Sequence, residues 1–321
     1  MTRRNSVLRG CGGALAVALL VTSCSGGGGG SSAGSGSARA AHTLAALTQG
    51  SYVALGDSYT AGPDIPAQGG TPAGCDRSSV SYPDLVAQKL GFKTGKVRDV
   101  SCSGATITDL TGTQSTSDGV NAAQLSALSS STTLVTLGIG GNDIDFAGVL
   151  THCVEMDLIP SLIGRAAAKL SPCEAYYTSG GINKIEQQIE DAAIRLPDAL
   201  RQIARRAPQA DVFVVGYPDL LPSSGAGCAD SLGITSTDLV FLNAEELLLN
   251  SMLKASAKAA GAVYVNTYAP SEGKDACAAE ATRWVEPLLP SSPAAPLHPN
   301  ARGEQGMAAA VLTAIKSATT S

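Results

Sequence analysis

The sequence predicts an α/β domain whose mostly parallel sheet is covered by helices on both faces, and three observations carry that prediction. Short apolar runs alternate with helical patterns along the chain, as successive strand and helix units require. One run, Thr132-Thr133-Leu134-Val135-Thr136-Leu137, is rich in β-branched residues and lacks polar alternation, the pattern of a central strand covered on both sides. Three glycine-bearing segments, Gly56-Asp57-Ser58, Cys102-Ser103-Gly104 and Gly138-Ile139-Gly140-Gly141-Asn142-Asp143, each follow a predicted strand. Open α/β sheets collect their functional groups at such strand ends.

Taken in order, Ser51 to Leu55 is the first strand, and Tyr82 to Leu90 a helix closed by Gly91. Lys96 to Ser101 is the second strand and Thr132 to Leu137 the third. A long helix over residues 182–207, with Pro197 as a candidate kink, leads to the apolar strand Asp211 to Gly216. Thr237 to Ala260 is a further helix, Ala262 to Asn266 the last strand, and Gly303 to Lys316 the last helix. No repeat occurs at solenoid periods.

Residues 1–23 stand apart from this pattern. Arg3, Arg4 and Arg9 precede an apolar run from Cys11 to Val21 that is too short to span a bilayer, which reads as a signal peptide. Val21-Thr22-Ser23-Cys24 resembles a bacterial lipobox, making Cys24 the candidate lipidation site; a plain secretory signal is the alternative. Residues 24–43 are a Gly/Ser-rich tether that cannot bury a core, and residues 44–321 are the folded domain. Gly30-Ser31-Ser32-Ala33-Gly34 is a literal G-x-S-x-G, yet no strand precedes it, so the context that motif needs is missing. Loss of residues 1–23 removes three arginines and no acids, taking the formal charge from −5 to −8. That balance argues against a nucleic-acid partner and leaves membrane attachment to a lipid anchor.

Six cysteines remain in the domain: Cys75, Cys102, Cys153, Cys173, Cys228 and Cys277. An even number in an exported chain predicts three disulfides, although six cysteines permit 15 pairings. The absence of a CxxC pair or a nearby histidine ladder argues against a metal site.

A serine nucleophile needs a base within hydrogen-bond reach. Of the three histidines, His42 belongs to the tether and His152 precedes Cys153, whereas His298 lies in the rigid turn Pro296-Leu297-His298-Pro299-Asn300 before the last helix. Ser58, directly after the first strand, is the candidate nucleophile, with a helix-capping serine as the alternative. Taken together, Gly56-Asp57-Ser58, Gly104, Gly140-x-Asn142-Asp143 and His298, in order and at strand ends, resemble the GDSL or SGNH hydrolases. The likeness runs from about Ser51 to the last helix and is nearest to the secreted, three-disulfide lipases and esterases of actinobacteria.

That resemblance implies a three-layer α/β/α sandwich of flavodoxin-like topology and a cofactor-free serine ester hydrolase. It implies Ser58 as nucleophile, His298 as general base, and an oxyanion hole from the Ser58 and Gly104 amides and the Asn142 side chain. Sequential disulfides Cys75-Cys102, Cys153-Cys173 and Cys228-Cys277 follow from the same likeness. Asp57 and Asp143 are expected to organise their loops. Many family members carry an aspartate three residues before the histidine, where this chain has Ala295, so the Ala295 carbonyl is the expected partner of His298. The upstream carboxylates Asp275, Glu280 and Glu286 are the alternatives for completing a triad. The expected substrate is an ester or lipid, including phospholipids and acetylated polysaccharides, and the expected location is the outer face of the cell membrane, or the medium. A non-catalytic binding lipoprotein on the same fold is the rival function. The segment 146–181, which contains Cys153, Cys173 and the apolar stretch 158–163, is a candidate cover for the site, with a structural excursion that has no role in specificity as the alternative. The sequence assigns no oligomeric state.

Overall fold

The computed structural model describes residues 42–162, 170–225, 228 and 232–319, with side chains omitted for 158–162. The expected signal segment, Cys24 and nearly all of the tether lie outside the described residues, and of the stretch 158–163 only the backbone to Leu162 is described.

Strands β1 (Ser51–Gly56), β2 (Val97–Asp99), β3 (Thr132–Gly138), β4 (Asp211–Val215) and β5 (Val263–Val265) form one sheet in the order β2-β1-β3-β4-β5. Every pair is parallel, with Val53 opposite Val135 and Val135 opposite Val212. This is the flavodoxin-like order, in which the chain winds outward in both directions from β1 and leaves a crevice at the carboxyl ends of β1 and β3.

Five longer helices flank the sheet: α1 (Tyr82–Leu90), α2 (Phe146–Leu162), α3 (Lys184–Arg206), α4 (Ser236–Ala259) and α5 (Ala301–Thr319). Alternation along each strand splits the core between the two faces. Tyr52, Ala54, Leu134 and Phe213 pack with Val86 of α1 and Met307 and Val311 of α5. Val53, Leu55, Val135 and Val214 pack on the other face with Ile189 and Leu196 of α3 and Leu239 and Leu253 of α4. Gly91 closes α1 in the left-handed conformation (φ 76°), donating to the Ala87 and Gln88 carbonyls. Helix α3 continues through Pro197.

Helix α2 was not expected. It is apolar around most of its circumference, so it carries no amphipathic period, and Phe146, Val149, Leu150 and Cys153 are all buried. Disulfides join Cys75 to Cys102, Cys153 to Cys173, and Cys228 to Cys277, the sequential pairing that the resemblance implied.

Both ends of the described chain lie at the amino edge of the sheet. The Thr133 hydroxyl donates to the Leu47 carbonyl at 2.5 Å, and the His42 amide donates to Asp211, the first residue of β4, at 3.3 Å. Helix α5 runs back from the carboxyl edge, so Ile315 in its last turn shares a core cluster with Leu47.

Candidate active site

Strand β1 ends in a one-turn helix, Ser58–Ala61, with Asp57 as its N-cap. The Asp57 side chain accepts the Tyr59 amide at 2.9 Å, while the Asp57 carbonyl accepts those of Thr60 and Ala61. The Ser58 amide opens this turn, where helical N–H groups have no partner within the helix. The local sequence thus holds a serine rigidly at the strand's carboxyl end.

His298 Nε2 lies 2.8 Å from Ser58 Oγ, and His298 Nδ1 lies 2.7 Å from the Pro296 carbonyl oxygen. A carbonyl only accepts, so Nδ1 carries the ring proton and Nε2 presents its lone pair to the Ser58 hydroxyl. Burial lowers the His298 pKa below its ordinary 6.5, against the opposing pull of the Pro296 carbonyl and the Asp64 charge. The ring is therefore a neutral acceptor at neutral pH.

The orienting carbonyl is a correction to the sequence expectation. The Ala295 carbonyl is taken up inside the turn, where it accepts the His298 amide at 3.2 Å. Pro296 and Leu297 are the two central residues of that turn, and Leu297 is left-handed (φ 59°). Proline followed by a residue of positive φ is the type II signature, which reverses the peptide plane between them and turns the Pro296 carbonyl to the imidazole. Of the carboxylates considered upstream, Glu286 is bound to Arg283 (2.8 and 3.2 Å), and Asp275 accepts the Cys277 amide at 2.7 Å. Burial alone would raise the Glu286 pKa, but Arg283, Asn300 and the Ser291 and Ser292 amides outweigh it and hold it at about 2.

Gly104 and Asn142 stand at the carboxyl ends of β2 and β3 and line the same cleft as Ser58 and His298. Gly104 is left-handed (φ 78°), and a Cβ there would meet only Gln114 Nε2 at 3.7 Å, so backbone conformation rather than crowding calls for glycine. The Asn142 amide donates one hydrogen to the Ala105 carbonyl at 2.9 Å, which fixes the group while its second hydrogen remains. Asp143 accepts the Ile107 amide at 2.9 Å and an Arg195 guanidinium N–H at 3.0 Å, tying the loop after β3 to that after β2 and to α3. His42 and His152 lie elsewhere: His42 beside Asp211, His152 beside Glu155 and the Tyr176 ring.

Two tyrosines escaped the sequence reading. Tyr59 packs against His298 with ring centroids 4.9 Å apart, and Tyr217 donates its hydroxyl hydrogen to Asp57. The rule that singled out the other strand ends also covers Gly216-Tyr217-Pro218, directly after β4. Burial raises the Asp57 pKa to about 7, against the lowering effect of the Tyr217 and Tyr59 hydrogen bonds.

The cleft extends from Ser58 as a cavity of about 480 Å³ walled by Phe146, Leu150, Leu220, Leu249 and Leu288. Its size and apolar lining suit a small hydrophobic group. Of these residues, Phe146 and Leu150 come from α2, so the start of the segment 146–181 lines the cavity.

A sequence model described as the GDSL-like lipase/acylhydrolase family matches residues 54–305. Lipase 2 of Streptomyces coelicolor is 38% identical over 259 residues, covering 80% of this chain and 83% of that protein. The crystal structure of phospholipase A1 from Streptomyces albidoflavus superposes with a TM-score of 0.66 at 29% identity, covering 83% of this chain and 99% of that one. An extracellular lipase of Streptomyces rimosus gives a TM-score of 0.63 at 28% identity, with the same shares covered. The chain belongs to the GDSL-like lipase/acylhydrolase family and is a carboxylic ester hydrolase.

Proposed function

We propose that the protein is an exported lipase or esterase that cleaves esters through an acyl-enzyme on Ser58. His298 Nε2 takes the Ser58 hydroxyl proton as Oγ attacks the ester carbonyl, then returns it to the departing alcohol. The Pro296 carbonyl holds the imidazole in the required tautomer, so the unit is a dyad with a main-chain third member. The Ser58 and Gly104 amides and the Asn142 side chain receive the oxyanion, each such donor being worth ~10² to 10³ in rate. Water then attacks the acyl-enzyme with His298 again as base. The acyl chain occupies the apolar cavity. Lipidation at Cys24 anchors the protein to the outer face of the membrane, consistent with the disulfide content of the domain.

The observation that carries this reading is the 2.8 Å contact between Ser58 Oγ and a histidine whose other nitrogen faces a carbonyl. A panel of p-nitrophenyl esters from acetate to palmitate, run beside a fluorophosphonate probe, tests it. Expected are ester turnover and a single phosphonylated residue, Ser58, by peptide mass spectrometry. Turnover that persists in Ser58→Ala overturns the mechanism, and a well-folded protein inert to both reagents supports a binding role instead.

A further inference from the structure

We propose that Tyr217 is a positioning residue that fixes the oxyanion loop against the nucleophile turn. The proposal rests on the reading of Ser58 as nucleophile and Asn142 as an oxyanion donor. Tyr217 lies two residues beyond β4 and is 4% exposed. Its hydroxyl donates to Asp57 Oδ2 and accepts the Gly141 N–H at 2.7 Å. Asp57 immediately precedes Ser58, and Gly141 immediately precedes Asn142. A single oxygen atom therefore joins the residue before the nucleophile to the residue before the oxyanion side chain.

The direction of this chain follows from valence. The Gly141 N–H can only donate, so it occupies a lone pair of the phenol and leaves the phenol hydrogen for the Asp57 carboxylate. Asp57 turns its other oxygen to the Tyr59 amide, so the carboxylate holds the nucleophile turn and Tyr217 at once.

The phenol is itself braced. Asn250 takes both backbone groups of Tyr217, accepting its N–H at 2.8 Å and donating to its carbonyl at 3.0 Å. The Tyr264 hydroxyl donates to the same Asn250 oxygen at 3.1 Å. Tyr59 stands edge-on to the Tyr217 ring at a centroid distance of 5.0 Å. The oxyanion loop rests on this braced ring: a Cβ at Gly141 would lie 3.0 Å from the Tyr217 hydroxyl oxygen and 3.2 Å from Cζ. That contact is tighter than an ordinary van der Waals approach, so a side chain at 141 would push the loop and the ring apart by a few tenths of an ångström. Misplacing an oxyanion donor by a fraction of an ångström weakens it where charge develops, in the transition state, and much less in the bound ester.

Tyr217→Phe retains the ring and removes the bridging oxygen. Expected is a fall in kcat of roughly tenfold or more with KM within about twofold, the pattern of an interaction made in the transition state. In an Asn142→Ala background the same substitution should cost less than about threefold, because the donor that Tyr217 positions is already gone. Wild-type kcat in Tyr217→Phe, or an equal loss in both backgrounds, overturns the proposal. Gly141→Ala disturbs the same contact from the loop side and serves if Tyr217→Phe fails to fold. It should show the same kcat loss and the same dependence on Asn142, and a loss independent of Asn142 rejects the idea. Ser58→Ala separates the two readings. An active Ser58→Ala removes the mechanism beneath the proposal, whereas an inactive Ser58→Ala with an unaffected Tyr217→Phe removes the proposal alone.

Discussion

The Tyr59 hydroxyl donates to the Leu297 carbonyl at 2.5 Å, joining the residue after Ser58 to the residue before His298. Ser58 and His298, the two members of the proposed dyad, are 240 positions apart in sequence, and this bond joins their loops independently of the contact between them. Tyr59→Phe keeps the ring beside His298 and removes the bond. A net hydrogen bond of about 1 kcal/mol corresponds to roughly fivefold, so a kcat loss of about three- to tenfold is expected in steady-state kinetics. Unchanged kcat would show that the dyad contact alone sets the loop.

Because main-chain oxygen orients His298, side-chain changes at the turn should be mild. Pro296→Ala and Ala295→Gly both retain the relevant carbonyls, and each is expected to keep activity within about fivefold while lowering the melting temperature slightly through added backbone freedom. A loss near ~10⁴, the cost of a wrong tautomer in a triad, would contradict the Pro296 assignment.

Asp275→Asn and Glu280→Gln, made singly in folded protein, should retain activity within about tenfold, as should Glu286→Gln. For Glu286 the effect belongs to stability. Its folded pKa of about 2 lies below the ordinary 4.5, so its contribution is full above the ordinary value and is lost as pH falls from about 5 to about 2. Thermal melts should therefore separate wild type from Glu286→Gln widely at pH 7 and narrowly near pH 2. A constant gap would deny the ion pair its role.

The pH dependence of kcat/KM tests the base. His298 must be neutral to accept the Ser58 proton, and its pKa is depressed below 6.5, so activity should persist at pH 6.5 and fall only at lower pH. Asp57 also titrates nearby, at about 7, and Asp57→Asn distinguishes the two groups. The acid limb should remain below 6.5 in that variant, whatever its amplitude. A limb that vanishes with Asp57 assigns the titration there.

Much of this was legible in the sequence because strands and motifs are local. All five strands of the parallel sheet and the helices at 82, 184, 236 and 301 stand close to where periodicity and capping put them, and the three strand-end segments meet at one cleft. Helix α2 was not legible because its sequence is apolar on most sides and so has no broad polar stripe to betray its period, even though the buried residues Phe146, Val149, Leu150 and Cys153 fall on one side. The Pro296 carbonyl was hidden for a different reason. A type II turn usually advertises itself with glycine or asparagine at its third position, and here leucine adopts the left-handed conformation instead, held by the buried Leu297 side chain and the Tyr59 bond. Tyr217 was missed because its partners, Asp57 and Gly141, lie 160 and 76 positions away.

With His42 and the last turn of α5 at one pole of the sheet and Ser58 at the other, the domain has a handle side and a working side. A bead, a surface-display carrier or a reporter domain attached at either end of residues 42–319 would sit away from the cleft, so immobilisation should leave ester access unobstructed. The same adjacency makes a circular permutant feasible, with a short glycine-rich bridge between the two old ends and new ends opened in the exposed hairpin loop at residues 117–118, which lies outside the five-stranded sheet.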